Sequence, residues 1–247
     1  MKISIITVTF NSASTLRDAI ESVINQTYTN IEYIIIDGKS IDGTIDIVKS
    51  YGSKVSKFIS EPDKGLYDAM NKGIKLATGE IIGILNSDDL YFDEYVIENV
   101  AKIFEAYPID CLWGDLVYFK DNPNKFIRIW KSGEYKPGIF KTGWMPPHPT
   151  FFVKKEIYEK YGYFKLEFSI AADYELMLRF LEKYRIKGYY LPKFLVKMRA
   201  GGKANKPKNI IIANLECIKA WKMNGLEMPF YTPFFKLARK IPQILKL

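Results

Sequence analysis

From Lys2 to Ala106 the chain alternates between short, continuously apolar runs and longer segments with a helical repeat. Lys2 to Thr9 (with Ile3, Ile5, Ile6 and Val8), Ile31 to Asp37, Val55 to Ser60 and Ile81 to Leu85 read as buried strands. Between the first two, Thr15 to Gln26 sets Leu16, Ala19, Ile20, Val23 and Ile24 on one face. Helices from about Thr44 to Tyr51, Leu66 to Ala77 and Glu94 to Ala106 complete the series. Thr15 and Asp18 stand at capping-box spacing, and Gly79 reads as the C-cap of the third helix. Such alternation builds βαβ units and a mostly parallel sheet. In open sheets of this kind ligands sit beyond the carboxyl ends of the strands. The stretches to inspect are therefore Thr9 to Asn11, Asp37, Ser60 to Lys64 and Asn86 to Asp89, and three of the four carry acids.

The second half is less regular. Cys111 to Phe119 and Phe126 to Trp130 read as strands of a mixed sheet, followed by a Gly/Pro-rich loop from Pro137 to Pro149. Thr150 to Val153 predicts a short strand, Ala172 to Tyr184 a helix, and strands are expected around Tyr189 and around Leu195. Arg199 to Lys208 is a basic, Gly-containing loop, and helical patterns at Ile210 to Asn224 and Thr232 to Leu245 finish the chain. The expectation is an α/β fold: a mixed, mostly parallel central sheet flanked by helices, with a C-terminal helical extension.

Composition narrows the partners. At 247 residues, with 48% hydrophobic and 26% charged residues, the chain can build one large domain with an ordinary core. A formal charge of +8 favours anionic ligands without choosing among nucleotides, lipid headgroups and nucleic acid. Cations are scattered with no aromatic stacking motif, which argues against nucleic acid. Cys111 and Cys217 form no CxxC pair, a pattern suited to a reducing compartment. Met1-Lys2 leads straight into a strand with no signal peptide ahead of it, and no run of eighteen apolar residues occurs. The expected location is the cytoplasm, either free or resting peripherally on the inner face of the membrane.

Asn86-Ser87-Asp88-Asp89 closes an apolar strand. Neighbouring carboxylates at a strand end repel unless a cation or hydrogen-bond donors balance them. A hard divalent ion suits them, since Mg²⁺ is usually held by one or two carboxylates plus substrate phosphates. The alternative is a turn leading into a helix start. Asp37 ends the second strand and could accept a ligand N–H, with Thr9 and Asn11 offering polar contacts nearby. Asp42, Gly38 and Gly43 read as a turn that caps the next helix.

Ile5 to Asn11 (IITVTFN), Asp37 to Thr44 (DGKSIDGT), Glu61 to Gly73 (EPDKGLYDAMNKG) and Thr78 to Asp89 (TGEIIGILNSDD) together resemble family 2 of the glycosyltransferases. The resemblance recurs at His148-Pro149-Thr150-Phe151-Phe152 and Ala171-Ala172-Asp173-Tyr174-Glu175, and is strongest to members that assemble bacterial surface polysaccharides and glycolipids. It implies the GT-A fold and an inverting, metal-dependent transfer of a sugar from a nucleotide diphosphate to an acceptor hydroxyl, with Mg²⁺ or Mn²⁺ as cofactor. Residues 1–110 would form the nucleotide-sugar half, 111–208 the acceptor and catalytic half, and 209–247 a helical segment in contact with the membrane. Thr9, Phe10 and Asn11 would line the nucleoside pocket and Asp37 would bind the base. Asp88 would contact ribose or donor sugar, or share the metal with Asp89, which would hold it against the diphosphate. Asp173 would be the base, its alternative role being a helix cap. Lys64, Asp68, Asn71 and His148 join the donor-binding candidates, Asp68 being equally a solvated helix residue and His148 equally a structural one. Asp115 is a weaker candidate for the sugar site. The chain departs from the family in carrying Gly38 where many relatives have Asp, and Met70 where many have an Arg that would neutralise the donor phosphates. Lys64, Lys72, Arg199 or Lys203 would have to supply that charge.

At the C-terminus Phe234, Ala238, Ile241 and Leu245 share a rough helical face, interspersed with Lys236, Arg239, Lys240 and Lys246. A basic amphipathic segment of this kind can lie on anionic lipid, which suits a saccharide or lipid-linked acceptor; the alternative is a C-terminal helix docked on the domain, its regularity limited by Pro233 and Pro242. A dinucleotide-binding dehydrogenase is excluded because Phe10-Asn11-Ser12-Ala13 offers none of the glycines of G-x-G-x-x-G. A sugar-phosphate nucleotidyltransferase, or a nucleotide-sugar binder without transferase activity, are the remaining alternatives.

Overall fold

A computed structural model of the chain describes residues 1–201, 207–239 and 243, with the side chains of residues 207 and 208 excepted. Lys203, Lys240, Ile241, Leu245 and Lys246, which figured in the sequence reading, lie outside the described residues. In chain order the elements begin with β1 (Ile3–Thr9), α1 (Leu16–Ile24), β2 (Ile31–Asp37), α2 (Thr44–Ser50), β3 (Lys57–Ser60), α3 (Leu66–Leu76) and β4 (Ile81–Ile84). They continue with β5 (Leu90–Tyr91), α4 (Val96–Ala106), β6 (Cys111–Phe119), β7 (Phe126–Trp130), β8 (Phe152–Lys154) and α5 (Lys155–Tyr161). The last are α6 (Ala172–Leu178), running into a π-helical turn at Arg179–Lys183, then β9 (Gly188–Arg199), α7 (Pro207–Met223) and α8 (Thr232–Ala238).

One sheet runs through the molecule in the order β3-β2-β1-β4-β8-β6-β9-β5, with β7 also pairing β6. The pairings β3–β2, β2–β1, β1–β4 and β6–β9 are parallel, while β4–β8, β8–β6, β6–β7 and β9–β5 are antiparallel. The parallel block β3-β2-β1-β4 is the run of βαβ units read from the sequence, and the antiparallel pairings join the second half to it. β1 is buried along its whole length because helices cover both faces, as an interior parallel strand requires. Alternate side chains go to opposite layers. Ile3, Ile5, Tyr33 and Ile35 pack with Leu16, Ile20, Val96 and Val100 of α1 and α4. Ile6, Val8, Ile34 and Ile36 pack with Met70 and Ile74 of α3 and with the aromatic cluster around Phe164 and Tyr158. Each fully buried aliphatic side chain contributes about 1.5–3 kcal/mol.

Several local expectations need correction. Gly79 does not cap α3, which ends at Leu76 with Ala77 in an extended conformation. Gly79 instead lies against β1, where a Cβ would fall 2.7 Å from the Ser4 amide nitrogen and 2.9 Å from the Lys2 carbonyl oxygen. Its own N–H donates to Ser4 Oγ (2.9 Å). Thr15 makes no capping hydrogen bond through its side chain, so the capping box does not form. The two strands expected around Tyr189 and Leu195 are one strand, β9, whose register against β6 shifts on either side of Asp115. Pro192 is accommodated near that irregularity, where a missing N–H disturbs the ladder least. α5 and the short β5 had no counterpart in the sequence reading.

The C-terminal segment is docked on the rest of the fold. In α7, Trp221 Nε1 donates to Tyr174 Oη (2.7 Å) and Asn224, just beyond the helix, donates to Glu175 Oε1 (3.0 Å), tying it to α6. α8 is held by Thr232 Oγ1 to the Lys141 carbonyl (2.7 Å) and by Arg239 Nε to that of Thr142 (2.9 Å). No helix of the described residues is long and apolar enough to cross a membrane.

Candidate active site

The carboxyl ends of β1 and β4 open into a cleft of about 1240 Å³. One wall comes from these strand ends and the start of α3: Thr9, Phe10, Asp63, Tyr67, Met70, Asn86 and Asp88. The rest of the lining comes from the second half and the C-terminal helices, including Arg128, Trp130, Trp144, His148, Asp173 and Lys236. The volume exceeds the usual 300–1,000 Å³ of a single-ligand pocket, which suits a site that holds two substrates at once.

The floor carries unfinished polar chemistry. Thr9 Oγ1 and Asn86 Oδ1 are buried and have no hydrogen-bond partner among the described residues. Buried polar groups are nearly always paired, so two orphans on one cleft point to a ligand that completes them. Asp88 also lines the cleft, and burial raises its pKa, only partly offset by its own amide and the Arg199 charge. Asp89 turns away. It is 1% exposed, its Oδ1 accepts the Arg199 amide (3.0 Å) and its Oδ2 accepts Asn86 Nδ2 (3.0 Å). Burial, followed by repulsion from Asp88, raises its pKa as well. The expectation that Asp89 faces the diphosphate is therefore corrected: Asp89 joins the end of β4 to β9, and Asp88, itself half-buried, is the member of the pair that lines the cleft. No cluster of three metal-ligating side chains occurs among the described residues. The available oxygen ligands, Asp88 and the free Asn86 Oδ1, fit a hard cation that draws its remaining ligands from substrate phosphate and water.

Asp37 is the second correction. It is fully buried, with Ser40 Oγ donating to Oδ1 (2.5 Å) and both the Ser40 amide (2.9 Å) and Ser60 Oγ (2.6 Å) donating to Oδ2. Its carboxylate ties the loop after β2 to the end of β3 and does not line the cleft. Asn11 serves the same loop: in the left-handed region (φ 49°), its amide donates to Ser40 Oγ (2.7 Å) and its Oδ1 accepts the Ile41 amide (3.0 Å). Asp42 does close the start of α2, accepting the Thr44 amide (3.1 Å).

In the third motif Asn71 is committed in both directions, donating to the Phe164 carbonyl (2.8 Å) and accepting the Phe164 amide (3.0 Å). Asp68 accepts the Lys64 amide (3.0 Å) and closes the first turn of α3. The Lys64 side chain is exposed and outside the cleft lining. These three residues therefore shape the loop and do not reach the cleft. Lys72 is paired with Glu61 (2.8 Å), and the Arg199 guanidinium stacks over Phe119 (4.7 Å) while bonding the Lys120 carbonyl. Among the described residues the cations that reach the cleft are Arg128, Lys131, Lys236 and Arg239, all from the second half. Asp115 is buried, accepting the Ser132 amide and Tyr190 Oη (2.9 Å each).

Asp173 lies in the first turn of α6, with its carboxylate on the cleft. Tyr67 Oη donates to the Ile170 carbonyl (2.6 Å) and lies 3.3 Å from Asp173 Oδ1, which links α3 to the loop ahead of α6. From α7, Glu216 gathers that same loop. Its Oε1 accepts Ser169 N (2.7 Å) and Oγ (2.8 Å), and its Oε2 accepts the Ile170 (2.9 Å) and Ala171 (2.8 Å) amides. His148 lines the cleft edge-on to Phe164, and burial lowers its pKa against the opposing pull of Asp173, which favours the neutral ring.

The sequence reading missed Asp63, Tyr67 and Glu216. Asp63 stands in one of the strand-end stretches flagged for acids, so its signal was present. Tyr67 and Glu216 act through pairings 103 and 45–47 residues away in sequence, which no local pattern encodes.

A family model described as "Glycosyl transferase family 2" matches residues 4–165. An uncharacterized glycosyltransferase of Mycobacterium tuberculosis is 32% identical over 180 residues, covering 72% of this chain and 68% of that protein. The glycosyltransferase EpsE of Bacillus subtilis is 30% identical over 214 residues, covering 84% of this chain and 76% of its own. A PGL/p-HBAD biosynthesis glycosyltransferase of Mycobacterium bovis is 29% identical, with 71% and 68% covered. Among solved structures, S. aureus TarS matches with a TM-score of 0.71 at 17% identity; the match covers all of this chain but spans only 44% of the TarS chain. A mannosyltransferase from Pyrobaculum calidifontis, in complex with GDP-Man and Mn²⁺, matches with a TM-score of 0.67 at 18% identity, covering 96% and 69%. At these identities the structural matches carry the fold alone, and the fold is GT-A.

Proposed function

The chain belongs to family 2 of the glycosyltransferases, and on that footing we propose that it transfers a sugar from a nucleotide diphosphate to an acceptor hydroxyl with inversion at the anomeric carbon. One observation carries this reading: Asp88 and Asp173, far apart in sequence, line the same cleft. The first is the expected ligand of a divalent cation on the diphosphate, the second the expected base. TarS 1-349 is described in complex with UDP-GlcNAc, and the Pyrobaculum enzyme with GDP-Man and Mn²⁺, which supports a nucleotide-sugar donor and Mg²⁺ or Mn²⁺ here.

In this mechanism Thr9 Oγ1 and Asn86 Oδ1 find their missing partners in the donor and its shell. Asp88 and Asn86 would hold the cation, and the chemistry it would supply there is Lewis-acid stabilisation of the leaving group's charge. Asp173 accepts the proton of the acceptor hydroxyl as that oxygen attacks the anomeric carbon. A positioned base of this kind is worth roughly 10²–10⁴-fold in rate. Glu216 and Tyr67 keep that carboxylate in place, and neutral His148 lines the cleft nearby. Arg128, Lys131, Lys236 and Arg239 take over the role of the family's Arg, whose place Met70 occupies, by drawing anionic substrate from the acceptor side. Asp173→Asn should bind nucleotide diphosphate as the wild type does and lose most turnover; wild-type turnover in that variant would refute the assignment.

Assembly of a surface polysaccharide or glycolipid, on a saccharide or lipid-linked acceptor at the cytoplasmic face of the membrane, fits the outer face of α7 and α8. Ile211, Leu215, Phe230 (94% exposed) and Phe234 (69%) stand out from it, beside Lys219 and Lys222. Exposed apolar patches with a cationic border suit an anionic lipid surface. Phe230→Ser/Phe234→Ser should lower co-sedimentation with vesicles containing phosphatidylglycerol, and equal partition would refute that contact.

A further inference from the structure

Position 38 is glycine, and the acid before it, Asp37, is closed off by Ser40 and Ser60. The end of β2 therefore offers a ligand no carboxylate of its own. A different carboxylate fills the space. A Cβ built on Gly38 would fall 2.7 Å from Asp63 Oδ2 and 3.2 Å from Phe10 Cδ2. Asp63 thus reaches from beyond β3 into the volume that a side chain at position 38 would occupy, and it lines the cleft there. Its Oδ1 accepts the Gly65 amide (2.7 Å), which fixes the orientation of the group. Oδ2 has neither a hydrogen bond nor an ion-pair partner among the described residues. Phe10, 63% exposed at the end of β1, sets an uncovered aromatic face beside this oxygen.

We propose that Asp63 and Phe10 select the nucleobase of the donor, and that they select an imide pyrimidine, uracil or thymine. This rests on the nucleotide-sugar reading above and goes one step further by naming the base. The ring stacks on Phe10, because every base has a π-face and an exposed aromatic gains from being covered. Discrimination comes from the edge. A carboxylate is an acceptor only, and here one oxygen is free. Uracil and thymine present a single ring N–H to it. Guanine presents two adjacent donors, one of which would have to share the oxygen that already accepts the Gly65 amide. Cytosine and adenine present a ring-nitrogen acceptor at that edge, which a carboxylate repels.

The test is calorimetric titration of the full chain with UDP, dTDP, GDP and CDP, each in the presence of Mn²⁺. The wild type should bind UDP and dTDP more tightly than GDP and CDP. Asp63→Asn keeps an oxygen for the Gly65 amide and offers N–H groups to the base. It should bind UDP roughly tenfold to a hundredfold more weakly and narrow or reverse the preference over CDP. Gly38→Asp in an Asp63→Ala background returns a carboxylate to the same space and should recover UDP binding that Asp63→Ala alone loses. Tightest binding of GDP, or an Asp63→Asn profile identical to wild type, overturns the base assignment while leaving the transferase reading intact. Failure of all four nucleotides to bind overturns both.

Discussion

Glu216 offers the sharpest test of how the fold holds its proposed base. Its carboxylate receives four hydrogen bonds from the three residues just ahead of the helix that carries Asp173. The pKa records this: burial pushes it up, and the donors at Ser169, Ala171 and Ile170 more than compensate, so the charged form is favoured. Glu216→Ala would leave the Ile170 and Ala171 amides part-buried and unpaired, while water replaces the bonds to exposed Ser169. Hydrogen bonds to a charged group are worth about 1.5–3 kcal/mol each and are not additive in one cluster, so the loss should be about 2–4 kcal/mol. Urea denaturation reads it directly. The second effect is kinetic. The loop carries the Ile170 carbonyl that Tyr67 grips, and its loosening moves Asp173 relative to the cleft. A displacement of about 1 Å costs up to roughly 10²-fold in rate, so kcat should fall while the Kd for UDP with Mn²⁺ stays within about twofold. Glu216→Gln keeps one acceptor oxygen and should recover part of both losses. A folded Glu216→Ala enzyme with wild-type kcat would refute the idea that this carboxylate positions the base.

Three further outcomes follow from the same structure. Asp88→Ala should reduce Mn²⁺-dependent nucleotide binding at least tenfold with little change in Tm, whereas Asp89→Ala should lower Tm, because Asp89 is the buried partner of Arg199 and Asn86; equal effects on metal-dependent binding would contradict the corrected assignment. Gly79→Ala drives a methyl group into the β1 backbone and should cost about 3 kcal/mol, seen as a Tm roughly 6–12 °C lower. Glu32 is 4% exposed and bound to Lys57 (2.8 Å), Ser4 and Thr78; burial alone would raise its pKa, but these partners bring it down to about 2. Its folded pKa lies below its unfolded value, so its contribution of about 3 kcal/mol is complete above about pH 4.5 and is lost as the pH falls toward 2. Glu32→Gln should flatten the stability profile in that window.

The sequence by itself determined the parallel half of the sheet. The limits of β2 coincide with its apolar run, and β1 and β4 lie within theirs, because a strand buried on both faces must be continuously apolar and bounded by polar turns. It also determined where ligand chemistry collects, since the ends of such strands are the only places where polar side chains meet a crevice. Asp88, Thr9 and Phe10 were legible in this way, and Asp173, in the first turn of a helix, only through the family resemblance. Tertiary structure alone decided which acid faces outward. Asp37 and Asp89 look as functional as Asp88 when read along the chain, but their environments come from Ser60 and Arg199, 23 and 110 residues away. The long-range pairing that closes them opens Asp63 and Asp88 to the cleft. A strand's own pattern fixes its burial, whereas the partners of a carboxylate at its end are set by whichever strands and loops pack beside it, and those are chosen by the whole fold.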